Sequence, residues 1–300
     1  MEDLFDIIEV LQRAKGMETC RMAVVNPYDF ATLKAVFLAA QEGIVHPLLV
    51  GDESRIRKAG EQFNIPVDEM EIVHTLDHAI PMTASFVLEQ KARFVMKGMV
   101  RTGDFMHVLL DPRWKIRTER IWSHVGMLEI PQDRRVFFMS DAAINILPNF
   151  TRKIHIVANA VDVAKKMGLK HIKVAMLAAV ETVNLPAMPA TLDAFLMKKF
   201  AGTGYFGHCE VGGPFAFDNA LLPEKAGAKG INGKVAGKAN VVICPNIETG
   251  NVVWKTITCL QKKEAAGVVV GGRCPIVVPS RSDDEKTKLL SIKFARLLAE

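Results

Sequence analysis

The sequence predicts an α/β protein, two lobes of parallel-rich sheet with helices on both faces. Three observations carry that expectation. From about residue 20 onward, short β-branched runs alternate with stretches of helical period, the pattern of strand–helix–strand crossovers. Hydrophobic residues make up 49% of the chain but aromatics only 7%, so burial rests on Val, Ile, Leu, Ala and Met, as buried parallel strands prefer. The 300 residues exceed one comfortable small core and suit two lobes or one large domain.

Residues 2–15 read as a short amphipathic helix with Leu4, Phe5, Ile8, Val10 and Leu11 on its apolar side. A strand at Cys20–Val25 ends in Asn26-Pro27, and a helix around Ala31–Glu42 is closed by Gly43. Further strands are expected at 46–50, at Glu71–His74 and, after a helix to about Gln90, at 94–98. Arg101-Thr102-Gly103-Asp104 then opens a helix through Leu110. Strands at Ser123–Glu129 and Val136–Ser140 lead into Asp141–Asn145, and Pro148-Asn149 introduces a helix to about Gly168. The second half repeats the alternation, with strands at 171–177, 208–211, 240–244, 266–270 and 275–278. Its helices lie near 189–200, 217–228 and 250–262. A last amphipathic helix, Lys286 to Glu300, carries Leu289, Leu290, Ile292, Phe294, Leu297 and Leu298. The lobe boundary is placed near Phe138–Pro148, giving lobes of 1–140 and 141–284.

Several function classes fall away. The net charge of +5 is dispersed, with no dense Lys/Arg block, which speaks against nucleic acid and suits small anionic substrates. Five widely spaced cysteines, none in a C-x-x-C pair, fit a reducing compartment. The opening Met1-Glu2-Asp3-Leu4-Phe5-Asp6 has no apolar core of a secretory leader, and no apolar run approaches the ~18 residues of a membrane span. A soluble cytoplasmic protein, with no membrane partner, is expected. Gly237-Lys238-Ala239 fails the phosphate-loop pattern, and Gly202-Thr203-Gly204 follows a helix, where it reads as a cap. His74 and His78 have i, i+4 spacing but lack a third ligand, so no metal site is assigned. No G-x-S-x-G elbow is present.

In doubly wound sheets, the carboxyl ends of the strands carry the ligand. One such end, Pro279-Ser280-Arg281-Ser282-Asp283-Asp284-Glu285, delivers hydroxyl, guanidinium and carboxylates to a helix start. Ser282-x-x-Glu285 fits a capping box, which would give those two residues a structural task. Capping does not require Ser280 or Arg281. An Arg at a helix N-terminus opposes the dipole and becomes sensible with an anion between them.

Six stretches in series resemble the phosphate acetyl/butyryltransferase family, its phosphate butyryltransferase branch most of all. They are Met96–Phe105, Ser140–Asn145, Val174–Glu181, Gly213–Ala220, Ala239–Asn251 and Pro275–Asp283. The resemblance implies reversible transfer of a short acyl group between coenzyme A and inorganic phosphate. Both are substrates rather than resident cofactors, and no metal takes part. It also implies an architecture similar to isocitrate and isopropylmalate dehydrogenases, with the site in the interlobe cleft, a homodimer, and a C-terminal helix, 285–300, returning to the first lobe. By resemblance Ser280 and Arg281 stabilise developing charge and Asp283 is the base, with Asp284 in reserve. In the acetyl-transferring branch the acid lies farther into the helix, where Thr287 stands here. Lys97, Arg101, Thr102, Asn246 and Asn251 are assigned to the substrates, although many relatives carry His where Arg101 stands. Glu248 is read as orienting a neighbour. The run Arg113, Lys115, Arg117, Arg120 could meet coenzyme A or be a charged face. Two other readings stay open: a dehydrogenase of the same architecture, and a non-catalytic acyl-CoA or acyl-phosphate binding module.

Overall fold

A computed structural model describes residues 3–299. In chain order the strands are β1 (Cys20–Val25), β2 (Val45–Gly51), β3 (Glu71–His74), β4 (Phe94–Lys97), β5 (Ser123–Glu129), β6 (Val136–Ser140), β7 (Ile172–Leu177), β8 (Cys209–Phe215), β9 (Val241–Ile243), β10 (Ala266–Val270) and β11 (Ile276–Val277). The α-helices are α1 (Ile7–Gln12), α2 (Phe30–Gln41), α3 (Glu53–Phe63), α4 (Ala79–Leu88), α5 (Thr102–Leu109), α6 (Phe150–Lys166), α7 (Pro189–Ala201), α8 (Phe217–Leu221), α9 (Pro223–Ala228), α10 (Ile247–Lys255) and α11 (Glu285–Leu298). No helix among the described residues is long and apolar enough to cross a membrane.

The chain divides into two compact units. One comprises Ile8–Arg120 with the residues from Ala266 onward; the other joins the residues up to Ile7 with Ile121–Ala265. In the first unit the strand order is β3-β2-β1-β4-β11-β10. Every pair is parallel except β10 with β11. The last four residues of β1 and all of β4 are buried, as apolar strands between covering layers must be. Helix starts are made by side chains: Asp29 accepts from the Thr32 N–H to begin α2, and Asp52 accepts from Ser54 and Arg55 to begin α3.

In the second unit the order is β5-β6-β9-β7-β8, with β5 and β6 antiparallel and the remaining pairs parallel. Asn149 caps α6 by accepting from the Arg152 N–H. Leu128, Phe137, Met139, Val242 and Trp254 meet in its core.

Several particulars differ from the sequence reading. Residues 2 and 300 of the expected terminal helices lie outside the described residues. The first helix is only Ile7–Gln12, followed by a 3₁₀ turn at Arg13–Gly16. The observed units do not follow the ranges 1–140 and 141–284. The β5–β6 pair hydrogen-bonds onto β9, and β10–β11 onto β4, so both hairpins belong with partners distant in sequence. Gly212-Gly213-Pro214, expected as a turn, continues β8, where Gly213 has φ +140°. β8 is the last strand of its order and its register with β7 is irregular near this point, and a sheet tolerates a Pro without a ladder donor at either kind of position. The helix expected at 217–228 is two, because Pro223 cannot continue the first and starts the second. The helix expected at 250–262 begins earlier, at Ile247, and ends in a π-turn at Thr256–Leu260. Lastly, α11 is buried almost all round from Leu290 to Leu298, so it is a core helix rather than an amphipathic surface one.

Candidate active site

β1, β4 and β11 are parallel neighbours, so Val25, Lys97 and Val277 finish on one edge of their sheet. The segments leaving that edge deliver Asp29, Arg101-Thr102 and Ser280–Asp284. The chain between β4 and α5 passes very close to the end of β1. A Cβ on Gly98 would stand 2.4 Å from the Val25 carbonyl oxygen and 2.5 Å from that of Asn26, so only glycine fits. That close approach sets where Lys97 ends.

Lys97 is 3% exposed. Its ammonium donates to the carbonyls of Gly98 at 3.2 Å and Val100 at 3.4 Å. Burial pulls its pKa below the ordinary lysine value. The positive charges of Arg281 and Lys288 push the same way, against Asp29 and Asp283. Lys288, 2% exposed, reaches from α11 to Asp29 Oδ1 at 3.0 Å and Thr32 Oγ1 at 3.1 Å. Burial alone would raise the Asp29 carboxyl, but hydrogen bonds from Thr32 and Lys288 outweigh it and hold the group below its usual value. Three cations and two carboxylates therefore share one strand edge, with positive charge in excess.

The turn before α11 is closed on itself. The Ser280 N–H donates to Asp283 Oδ2 at 2.7 Å, and the Asp283 N–H returns a bond to the Ser280 carbonyl at 3.2 Å. The Ser280 and Ser282 hydroxyls lie 3.0 Å apart. Arg281 is exposed beside them. The expected capping box of Ser282 and Glu285 does not form. Asp284 is the N-cap, accepting from the Thr287 N–H at 2.8 Å, because α11 starts two residues later than that box requires. Of the two candidate bases, Asp284 is thus occupied in starting the helix, whereas Asp283 shapes the Ser280–Arg281 turn. Arg101 and Thr102 are exposed at the start of α5, which has no side-chain cap. Its first N–H groups are left for solvent or a ligand. Among the described residues no group of three or more His, Cys, Asp or Glu could hold a metal ion.

Residues 75–295 match the model of the phosphate acetyl/butaryl transferase family. The chain is 39% identical to a phosphate butyryltransferase of Clostridium acetobutylicum, over 97% of each protein. It is 36% identical to a phosphate acetyltransferase of Thermotoga maritima, over 96% of this chain and 97% of that one. A branched-chain phosphotransacylase from Enterococcus faecalis V583 superposes with a TM-score of 0.82 at 28% identity, covering 95% of this chain and all of that one. The chain belongs to the phosphate acetyl/butaryl transferase family. It is a phosphate acyltransferase by that membership.

Within this acyltransferase, Lys97, Ser280, Arg281 and Asp283 come together in one unit, joined by three residues that the sequence reading missed: Asp29, Thr32 and Lys288. Two signals pointed to them. Asp29 stands at a helix start just after a strand end, and Lys288 lies one turn before Ile292 on the side that α11 buries. Asn246 and Asn251 belong to the other unit, where each has a structural bond. Asn246 caps α10, accepting from the Thr249 N–H at 3.0 Å and its hydroxyl at 2.7 Å. Asn251 Nδ2 donates to the Ala142 carbonyl at 3.4 Å. Glu248 between them is exposed. In the basic run, Arg113 pairs with Asp111 at 3.0 Å and lies 4.9 Å over the Trp114 ring, while Arg117 forms a bridge with Gly272.

Proposed function

We propose that this enzyme transfers a short acyl group, butyryl-like with acetyl and branched chains as relatives, reversibly between coenzyme A and inorganic phosphate. The observation that carries the reading is the surplus of positive charge around buried Lys97, where Lys97, Arg281 and Lys288 face only the carboxylates of Asp29 and Asp283. A doubly charged phosphate placed there would offset the mutual repulsion of Lys97, Arg281 and Lys288. It would also stand beside the one carboxylate of the turn that is not the cap of α11. Positioning of this kind can supply several kcal/mol of the barrier.

In the forward direction a phosphate oxygen attacks the thioester carbonyl carbon, and Asp283 accepts the phosphate proton. The carbonyl oxygen takes up negative charge in the tetrahedral intermediate, facing Arg281 and the Ser280 hydroxyl. The C–S bond then breaks, giving acyl phosphate and coenzyme A thiolate, which takes the proton from Asp283. In reverse, Asp283 removes the thiol proton. Lys97 holds phosphate, and the uncapped start of α5 with Arg101 and Thr102 offers N–H groups to a second phosphate, such as the pyrophosphate of coenzyme A. Asn246 and Asn251 would touch substrate only through whatever bonding capacity their structural bonds leave. The reading also carries the homodimer implied by the resemblance, which light scattering after size exclusion measures directly.

The test is coenzyme A release from acetyl- to octanoyl-CoA and isobutyryl-CoA, with and without phosphate. Phosphate-dependent release peaking at four or five carbons is expected. Release from none of them by folded protein would leave a non-catalytic binding module. Asp283→Asn is expected to bind coenzyme A normally and lose phosphate-dependent turnover.

A further inference from the structure

We propose that the opposite, amino-terminal edge of the same sheet holds a second anion site, built for a small organic polyanion: a phosphate monoester or a di- or tricarboxylate. A cavity of about 240 Å³ opens there, lined by Glu18, Cys20, Arg21, Lys91, Arg93 and Arg296 among others. At a share of about 30 Å³ per water it holds on the order of eight waters, the size of such a compound. Among the described residues four cations line it against a single carboxylate, Glu18.

The cations differ in how firmly they are held. Arg296 is 7% exposed and fixed in place by backbone carbonyls: Nε donates to Glu18 at 3.2 Å, Nη1 to Ala299 at 3.1 Å, and Nη2 to Glu18. Among the described residues no carboxylate forms an ion pair with it. Arg93 is exposed, and no carboxylate among the described residues pairs with it. Arg21 and Lys91 pair with Glu71 and Glu89, but on the surface, where such pairs are worth little and can be shared with a ligand. Cys20 adds no negative charge. Burial raises its thiol pKa, and the opposing pull of Arg296 and Arg93 shows both guanidinium groups near it. A pre-formed guanidinium, a second one without an ion pair among the described residues, and two releasable cations give this cavity an excess of positive charge over the described carboxylates.

This site is distinct from the one at Lys97. Cys20 begins β1 and Val25 ends it, roughly 17 Å apart at about 3.3 Å per residue. Nothing in acyl transfer calls for a cationic cavity at the amino ends of the strands.

The experiment is isothermal titration with citrate and with glycerol 3-phosphate, using wild type, Arg93→Ala and Arg281→Ala. Support requires saturable binding of at least one probe to Arg281→Ala, weakened tenfold or more by Arg93→Ala. Arg93→Lys should recover part of the loss. Which probe binds separates the carboxylate from the phosphate form. Arg93 is exposed, so its variants should keep the wild-type circular dichroism, and a spectrum that changes would disqualify them in favour of Lys91→Ala. Binding of neither probe overturns the proposal. So does binding that survives both Arg93→Ala and Lys91→Ala, or binding abolished by Arg281→Ala, which would place the anion at the substrate site.

Discussion

The two units end their parallel strands in opposite ways. In the second unit, the carboxyl end of β6 runs into Asp141, 2% exposed, whose carboxylate accepts from the N–H groups of Ala143, Ile144 and Asn145 and from Asn145 Nδ2. Asn145 Nδ2 also donates to the Trp122 carbonyl, Asn246 caps α10, and a Cβ on Gly250 would sit 2.3 Å from the Asp141 carbonyl oxygen. There the polar side chains hold the backbone, and charge is consumed internally. At the carboxyl ends of β1, β4 and β11 the reverse holds. Lys97 is buried against backbone carbonyls, Arg281 is exposed beside it, and α5 begins uncapped. Strand ends of the same kind serve either structure or chemistry, and the difference is whether their charges are satisfied before a ligand arrives.

The contrast breaks first under a pair of substitutions. Asp141→Ala strands four donors in a buried loop and should cost about 3 kcal/mol or more, read by chemical denaturation. Arg281→Ala, exposed, should change stability by no more than about 0.5 kcal/mol while lowering turnover roughly 10³-fold. Equal stability losses in the two variants would erase the distinction.

Lys97→Met sharpens it. The buried ammonium costs stability while it is charged, because its folded pKa lies below the unfolded one. That cost is present at neutral pH, begins to fall as pH rises through the lowered folded value, and is gone above the ordinary lysine value. The Met variant should therefore match or exceed wild-type stability, by up to about 1 kcal/mol at pH 7, and lose phosphate-dependent activity. A clearly destabilised Met variant would instead assign Lys97 to the scaffold.

A smaller effect separates the paired aspartates. Asp284→Ala removes the α11 cap and should cost about 1 kcal/mol with turnover nearly kept. Asp283→Asn should do the reverse. The smallest effect concerns acid. Asp29 has a lowered carboxyl pKa, so its contribution is complete above about pH 4 and is lost as pH falls through the folded value. Asp29→Asn should flatten that acid limb of the stability curve, and a limb as steep as wild type would show that other carboxylates govern it.

Much of this molecule was legible in its residues. The limits of β1, β3, β5, β6 and β10 follow from β-branched runs bounded by polar turns, and the starts of α6 and α7 from Pro148-Asn149 and Pro189. These are local signals, settled within a few residues. The Ser280–Asp283 turn was visible as chemistry without a structural use for Arg281. What stayed hidden was contact between residues far apart in sequence. Lys288 looks like a solvated lysine until α11 packs on α2 and brings it to Asp29, 259 positions away. Arg296 and Lys293 on the same helix are likewise buried against Glu18 and Glu42.

The sequence by itself determined the alternation of strands and helices, the apolar strands, the family motifs and a set of candidate site residues. Local propensity and side-chain chemistry suffice for those. Only the tertiary structure decided that two hairpins join units distant in sequence, that Asp284 rather than Ser282 starts the last helix, and that Lys97 carries an unbalanced buried charge. Such outcomes depend on which groups burial forces together, and burial is a property of the folded chain as a whole.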